Sequence, residues 1–68
     1  MIDQNEILHL ILGKPEAEAI VTAFSHHLYK CRVIKRGSEA LMCTMDYFPD
    51  RVNLMLDENG LVEDIKMG

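Results

Sequence analysis

A chain of 68 residues makes one small domain, spanning 1–68, and domains of this size bury only about 60% of the surface that the unfolded chain exposes. That leaves little room for both a core and a deep catalytic pocket, so a protruding binding element suits the size better than an enzyme site. Hydrophobic residues at 49% and charged residues at 26% are the balance of a folded globular domain rather than a disordered segment. Eleven acids against seven bases give a net charge of −4. No basic face is apparent for neutralising phosphates, which argues against nucleic acid as a partner.

Only Cys31 and Cys43 carry thiols, far from the cysteine density of a disulfide scaffold. Residues Met1 to Glu6 are acid and amide in character, where a secretory leader has positive charge and then a long apolar run. The apolar stretch from Ile7 to Leu12 is too short to cross a bilayer, and His9 interrupts it. The expectation is a cytoplasmic chain with reduced thiols and no membrane partner, or a secreted one if a leader has been removed.

In chain order, Asp3 followed by Glu6 resembles a capping box and opens a short helix. Ile7, Leu8, Leu10 and Ile11 follow at helical spacing, and Gly13 stops the helix in the left-handed conformation. Pro15 opens the main helix at its first position, with Glu16 and Glu18 in the turn where the helix dipole favours acids. Ile20, Ala23, Phe24, His27 and Leu28 recur as one buried stripe, so the helix should end near Leu28 or Tyr29. A first strand is expected over Cys31–Arg36, broken by Gly37-Ser38-Glu39.

Arg51–Leu56 is the clearest strand, with Val52, Leu54 and Leu56 on one face and Arg51, Asn53 and Met55 on the other. Asp57-Glu58-Asn59-Gly60 reads as a hairpin turn, and Leu61–Met67 returns as a third strand. The stretch from Gly37 to Asp50 shows no period and is long for a connection in so small a domain. Its Leu41, Met42, Met45, Tyr47 and Phe48 are too apolar for a disordered linker, and exposed apolar residues on a loop indicate a binding surface.

The run Thr44-Met45-Asp46-Tyr47-Phe48-Pro49-Asp50-Arg51-Val52-Asn53-Leu54 resembles the reactive loop and following strand of the potato type I serine protease inhibitors. Its Pro-Asp-Arg and Asn are closest to a bacterial branch of that family. Leu12-Gly13-Lys14-Pro15-Glu16 resembles the family's helix opening. Arg32-Val33-Ile34 resembles its first strand, and Leu56-Asp57-Glu58-Asn59-Gly60-Leu61-Val62 its hairpin. Gly68 matches the usual ending.

The resemblance implies an α+β fold: one main helix packed on a small mixed sheet, with a long exposed binding loop between the first two strands. It implies substrate-like inhibition of serine proteases by a reactive loop of Cys43, Thr44, Met45, Asp46, Tyr47 and Phe48. The scissile bond would be Met45–Asp46, with Met45 in the primary specificity pocket. Arg51 and Asn53, on the next strand, would brace the loop from below.

A flexible apolar Met45 suits the deep hydrophobic pockets of subtilisin-, chymotrypsin- or elastase-like enzymes rather than a trypsin-like one. The resemblance thus implies a serine protease as partner, met by a monomer, with no cofactor. The alternative is a non-inhibitory protein–protein interaction module that uses the same fold and loop. Two departures stand out: more residues lie between Gly37 and Thr44 than is usual, and Phe48 replaces what is often a basic residue.

Plainer readings exist for each residue. Met45 could fill the core, as methionine often does, and Arg51 could be an ordinary surface arginine. His26 and His27 are adjacent and lie on different faces of a helix, and His9 adds no standard ligand spacing, so no metal site is expected. Cys43 as a nucleophile would need a nearby base that the sequence does not supply, and no catalytic triad has positional support. A Cys31–Cys43 disulfide could brace the loop only in an oxidising setting.

Overall fold

The fold comes from a computed structural model, which describes residues 3–41, 46 and 48–68. Helix α1 spans Gln4–Ile11 and α2 spans Glu16–Ser25. Strands β1 (Lys30–Arg36), β2 (Glu39–Ala40), β3 (Arg51–Leu56) and β4 (Val62–Met67) form one sheet in the order β2-β1-β3-β4. β1 and β3 are parallel and the other two pairings are antiparallel. This is the expected α+β domain with a mixed sheet.

The helix starts follow from local chemistry. Asp3 caps α1, its carboxylate accepting from the Glu6 N–H at 3.0 Å. Gly13, at φ +80, closes the end of α1, as its lack of a Cβ allows. Pro15 is the N-cap of α2 rather than its first helical residue. It makes an isolated antiparallel bridge to Leu61, which ties the helix entry to the start of β4.

The end of α2 differs from the expectation. The helix stops at Ser25, and His27 takes the left-handed conformation at φ 66. The Leu28 N–H donates to the Ala23 carbonyl and the His27 N–H to the Phe24 carbonyl, both at 3.0 Å. These two bonds make a Schellman motif, with Leu28 as its buried hydrophobic partner. A histidine stands where glycine is usual, so the stop signal was hidden. The supposed stripe also divides: Ala23 and Leu28 are buried and Ile20 partly so, whereas Phe24 and His27 are exposed. Ala19 takes the remaining core position on α2.

Among the described residues, ten build the core: Ile7 and Ile11 of α1, Ala19 and Ala23 of α2, Leu28 after α2, then Val52, Leu54 and Leu56 of β3, and Val62 and Ile65 of β4. Both helices therefore serve one face of the sheet, and α1 contributes two large apolar side chains, Ile7 and Ile11, to that face. In β4, Met55 faces Asp64 and Leu56 faces Val62, which leaves Glu63 as an extra residue. Such a bulge resets the alternation, and it lets Val62 and Ile65 both reach the core. A second irregularity in β1 leaves Ile34 as the extra residue between Val33 and Lys35.

The connection from β1 to β3 carries a short strand that the expected architecture did not include. The first two strands in the chain are β1 and β2, joined by a two-residue Gly37-Ser38 turn, with Arg36 opposite Glu39 and Lys35 opposite Ala40. The long connection begins only after Ala40. It re-enters the sheet through Phe48-Pro49-Asp50-Arg51, closed by the Arg51 N–H donating to the Phe48 carbonyl at 3.0 Å. Proline in the second place of such a turn has its φ already set. The Asp57–Gly60 turn forms as expected, with the Asp57 carboxylate accepting from the N–H groups of Asn59 and Leu61.

Candidate functional site at the loop-facing side of the sheet

β3 is buried on both sides, unlike a strand with one solvated face. Val52, Leu54 and Leu56 are fully buried in the core. Alternation turns Arg51 and Asn53 to the opposite face, and there they are buried too, at 7% and 4% exposure. A buried guanidinium needs partners, because stripping its water costs several kcal/mol. Those partners supply the geometry of the site.

Arg51 uses its fork in two directions. Its Nε donates to the Gly68 main-chain carbonyl at 2.9 Å. One terminal nitrogen donates to the Asp46 main-chain carbonyl at 2.7 Å. The other approaches the Asp46 carboxylate at 3.4 Å, longer than the roughly 2.7–2.9 Å of a strong charge-assisted bond. The grip on Asp46 is therefore chiefly on its backbone. Because the Asp46 side chain is 46% exposed, the ionic part of the contact is screened by water.

Asn53 extends this arrangement along the sheet. Its Nδ2 donates to the same Gly68 carbonyl at 2.9 Å, and its Oδ1 accepts from Arg32 Nε at 2.7 Å. Arg32 lies opposite Asn53 in the parallel β1–β3 register, so the contact follows from the strand pairing. The Gly68 N–H donates back to the Arg51 carbonyl at 3.0 Å. One main-chain residue thus joins both supports. No described buried side-chain nitrogen or oxygen lacks a hydrogen-bond partner.

Phe48 completes the site. Its ring lies under Lys30 Nζ at 3.9 Å and 5.0 Å from the Arg51 guanidinium carbon. Of the residues singled out in the sequence, Asp46, Phe48, Arg51 and Asn53 are thereby brought together. Cys43, Thr44, Met45 and Tyr47 lie outside the described residues. Sequence reasoning did not single out Lys30, Arg32 or Gly68 as parts of this arrangement. The two cations were discoverable, because a parallel partner strand must set residues of its own beside Arg51 and Asn53.

The remaining candidates lie elsewhere. Cys31 is a free thiol on the core side of β1, and burial raises its pKa above the ordinary 9.0. That is the opposite of what an activated nucleophile needs. His27 Nδ1 is 2.7 Å from the Tyr29 hydroxyl. Among the described residues, no group of three or more His, Cys, Asp or Glu is placed to hold a metal ion, and no helix is long and apolar enough to cross a membrane. No protein-family model matches the chain, and no curated protein matches it.

Proposed function

We propose that the protein inhibits serine proteases by presenting the chain around Met45–Asp46 as a substrate that is held too firmly to leave. The observation that carries this reading is the hydrogen bond from the buried Arg51 to the Asp46 main-chain carbonyl at 2.7 Å. Asp46 would be the first residue on the leaving-group side of the cut. When the enzyme's serine attacks the Met45 carbonyl, the bond that breaks is the one to the Asp46 nitrogen. A leaving group still tethered by Arg51 keeps its new amine beside the acyl carbon. Religation then competes with hydrolysis, and release of the cut product is slow.

Preorganisation supplies the affinity. Fixing a flexible backbone costs roughly 1–2 kcal/mol per residue, and a loop already braced avoids part of that cost on docking. Arg51 and Asn53 are the braces, and Gly68 and Arg32 hold them in turn. The resemblance of Thr44 to Leu54 to the potato type I inhibitors points the same way. An apolar, unbranched Met45 directs the loop to subtilisin-, chymotrypsin- or elastase-like enzymes.

The second reading, a non-inhibitory interaction module on the same fold, draws on β2. Pairing of Glu39 and Ala40 with β1 adds a short edge strand ahead of the loop, a feature that substrate-like inhibition does not call for. Titration against active subtilisin and chymotrypsin separates the two. Stoichiometric loss of protease activity, with any cut confined to Met45–Asp46, supports inhibition. Rapid digestion of the loop, or full protease activity at every ratio, sinks it.

A further inference from the structure

Two cations meet where the chain returns from the loop to the sheet. The parallel register puts Lys30 of β1 directly opposite Arg51 of β3, and like charges on neighbouring strands repel. The half-buried Phe48 ring lies against both, 3.9 Å from Lys30 Nζ and 5.0 Å from the Arg51 guanidinium carbon. The face of an aromatic ring carries negative electrostatic potential, so one ring can attract two cations that would otherwise push apart. A basic side chain at position 48 would put a third positive charge in the same place. The Phe48 backbone is pinned as well, through its carbonyl and the Arg51 N–H.

We infer that Phe48 is a positioning residue: clasped by Lys30 and Arg51, it sets the path of the loop on the leaving-group side and keeps the Arg51 fork aimed at Asp46. This deepens the proposed inhibition and rests on it for its functional consequence. The brace itself is a property of the free protein.

Cation–π contacts at a half-buried ring are modest, so each is expected to change a rate about two- to fivefold. The test is a coupling between Lys30 and Phe48, because Phe48 alone could also touch the protease. Loop hydrolysis by subtilisin and the inhibition constant are measured for Phe48→Leu, Lys30→Met and the double variant, with Phe48→Trp and Lys30→Arg as conservative replacements. Hydrolysis should quicken about four- to twenty-five-fold in Phe48→Leu, the two contributions multiplying. Trp and Arg should restore the native rate. Lys30→Met should matter in the native background and have no further effect beside Phe48→Leu.

Equal effects of Lys30→Met in both backgrounds, or failure of Trp to restore the rate, would overturn the inference while leaving inhibition intact. If the native protein inhibits nothing, the functional reading fails separately. The brace is then judged by NMR on the free protein. An upfield ring-current shift of the Lys30 Hε protons that vanishes in Phe48→Leu, with faster exchange of the Arg51 amide, upholds it. Unshifted Lys30 protons reject it.

Discussion

Replacing Arg51 by methionine tests the support most sharply. The change keeps most of the side-chain volume in a position that is 7% exposed and removes every donor. Two bonds of good geometry are lost, to Gly68 at 2.9 Å and to Asp46 at 2.7 Å. Hydrogen bonds from charged groups contribute about 1.5–3 kcal/mol each. Against this, an apolar residue no longer bears the guanidinium's desolvation cost, which is several kcal/mol. The net loss expected is about 1–3 kcal/mol, out of a total near 3–10 kcal/mol for a domain of this size.

Urea unfolding followed by circular dichroism reads that loss, and the midpoint should fall by about 1–2 M. The local effect should be larger in kind. Asp46 loses its main-chain tether, whereas Gly68 keeps the bond from Asn53. Cleavage of the loop should therefore accelerate by roughly 10–100-fold, since each 1.4 kcal/mol corresponds to a factor of ten. A variant with an unchanged urea midpoint and an unchanged cleavage rate would refute Arg51 as the support of the loop.

Other consequences can be measured in the same way. Asn53→Ala removes the link between Arg32 and Gly68 and should cost about 1–3 kcal/mol, because two hydrogen bonds of a buried amide are lost, one of them to a charged group; a neutral substitution would place the support in Arg51 alone. Leu54→Ala, at the fully buried centre of β3, should cost about 2–5 kcal/mol and leave the chain near its unfolding threshold at room temperature. His27→Gly should raise the melting temperature, since relief of the left-handed strain at φ 66 outweighs the extra freedom of the unfolded chain; a lower melting temperature would contradict the Schellman reading.

Burial keeps the Cys31 thiol protonated above its ordinary 9.0, so the unfolded chain gives up that proton first as pH rises. Stability should then decline as pH climbs from about 9 through the higher folded value. Cys31→Ala should lessen that decline, and an identical pH profile in the variant would speak against the burial.

Much of this fold was written in local signals. Asp3 before Glu6, Gly13 and the Asp57–Gly60 turn marked their elements because each acts through its own neighbours in the chain. The two faces of β3 were legible from alternation alone. What escaped was set by tertiary context. His27 ends α2 in a conformation that glycine usually takes, and β2 is a two-residue strand that exists through its pairing with β1. The half of the site on β3 could be read from its spacing. Lys30, Arg32 and Gly68 joined it only through strand register and the return of β4, which no single stretch of sequence encodes.

The resynthesis of a cut loop tests substrate-like inhibition most directly. Protein cleaved once at Met45–Asp46 is incubated with a trace of active subtilisin, and mass spectrometry follows the intact and cleaved forms. A leaving group held in place by Arg51 predicts that the peptide bond re-forms, with the same ratio of the two forms approached from either side. Cleaved protein that stays cut, or is digested further, would contradict it.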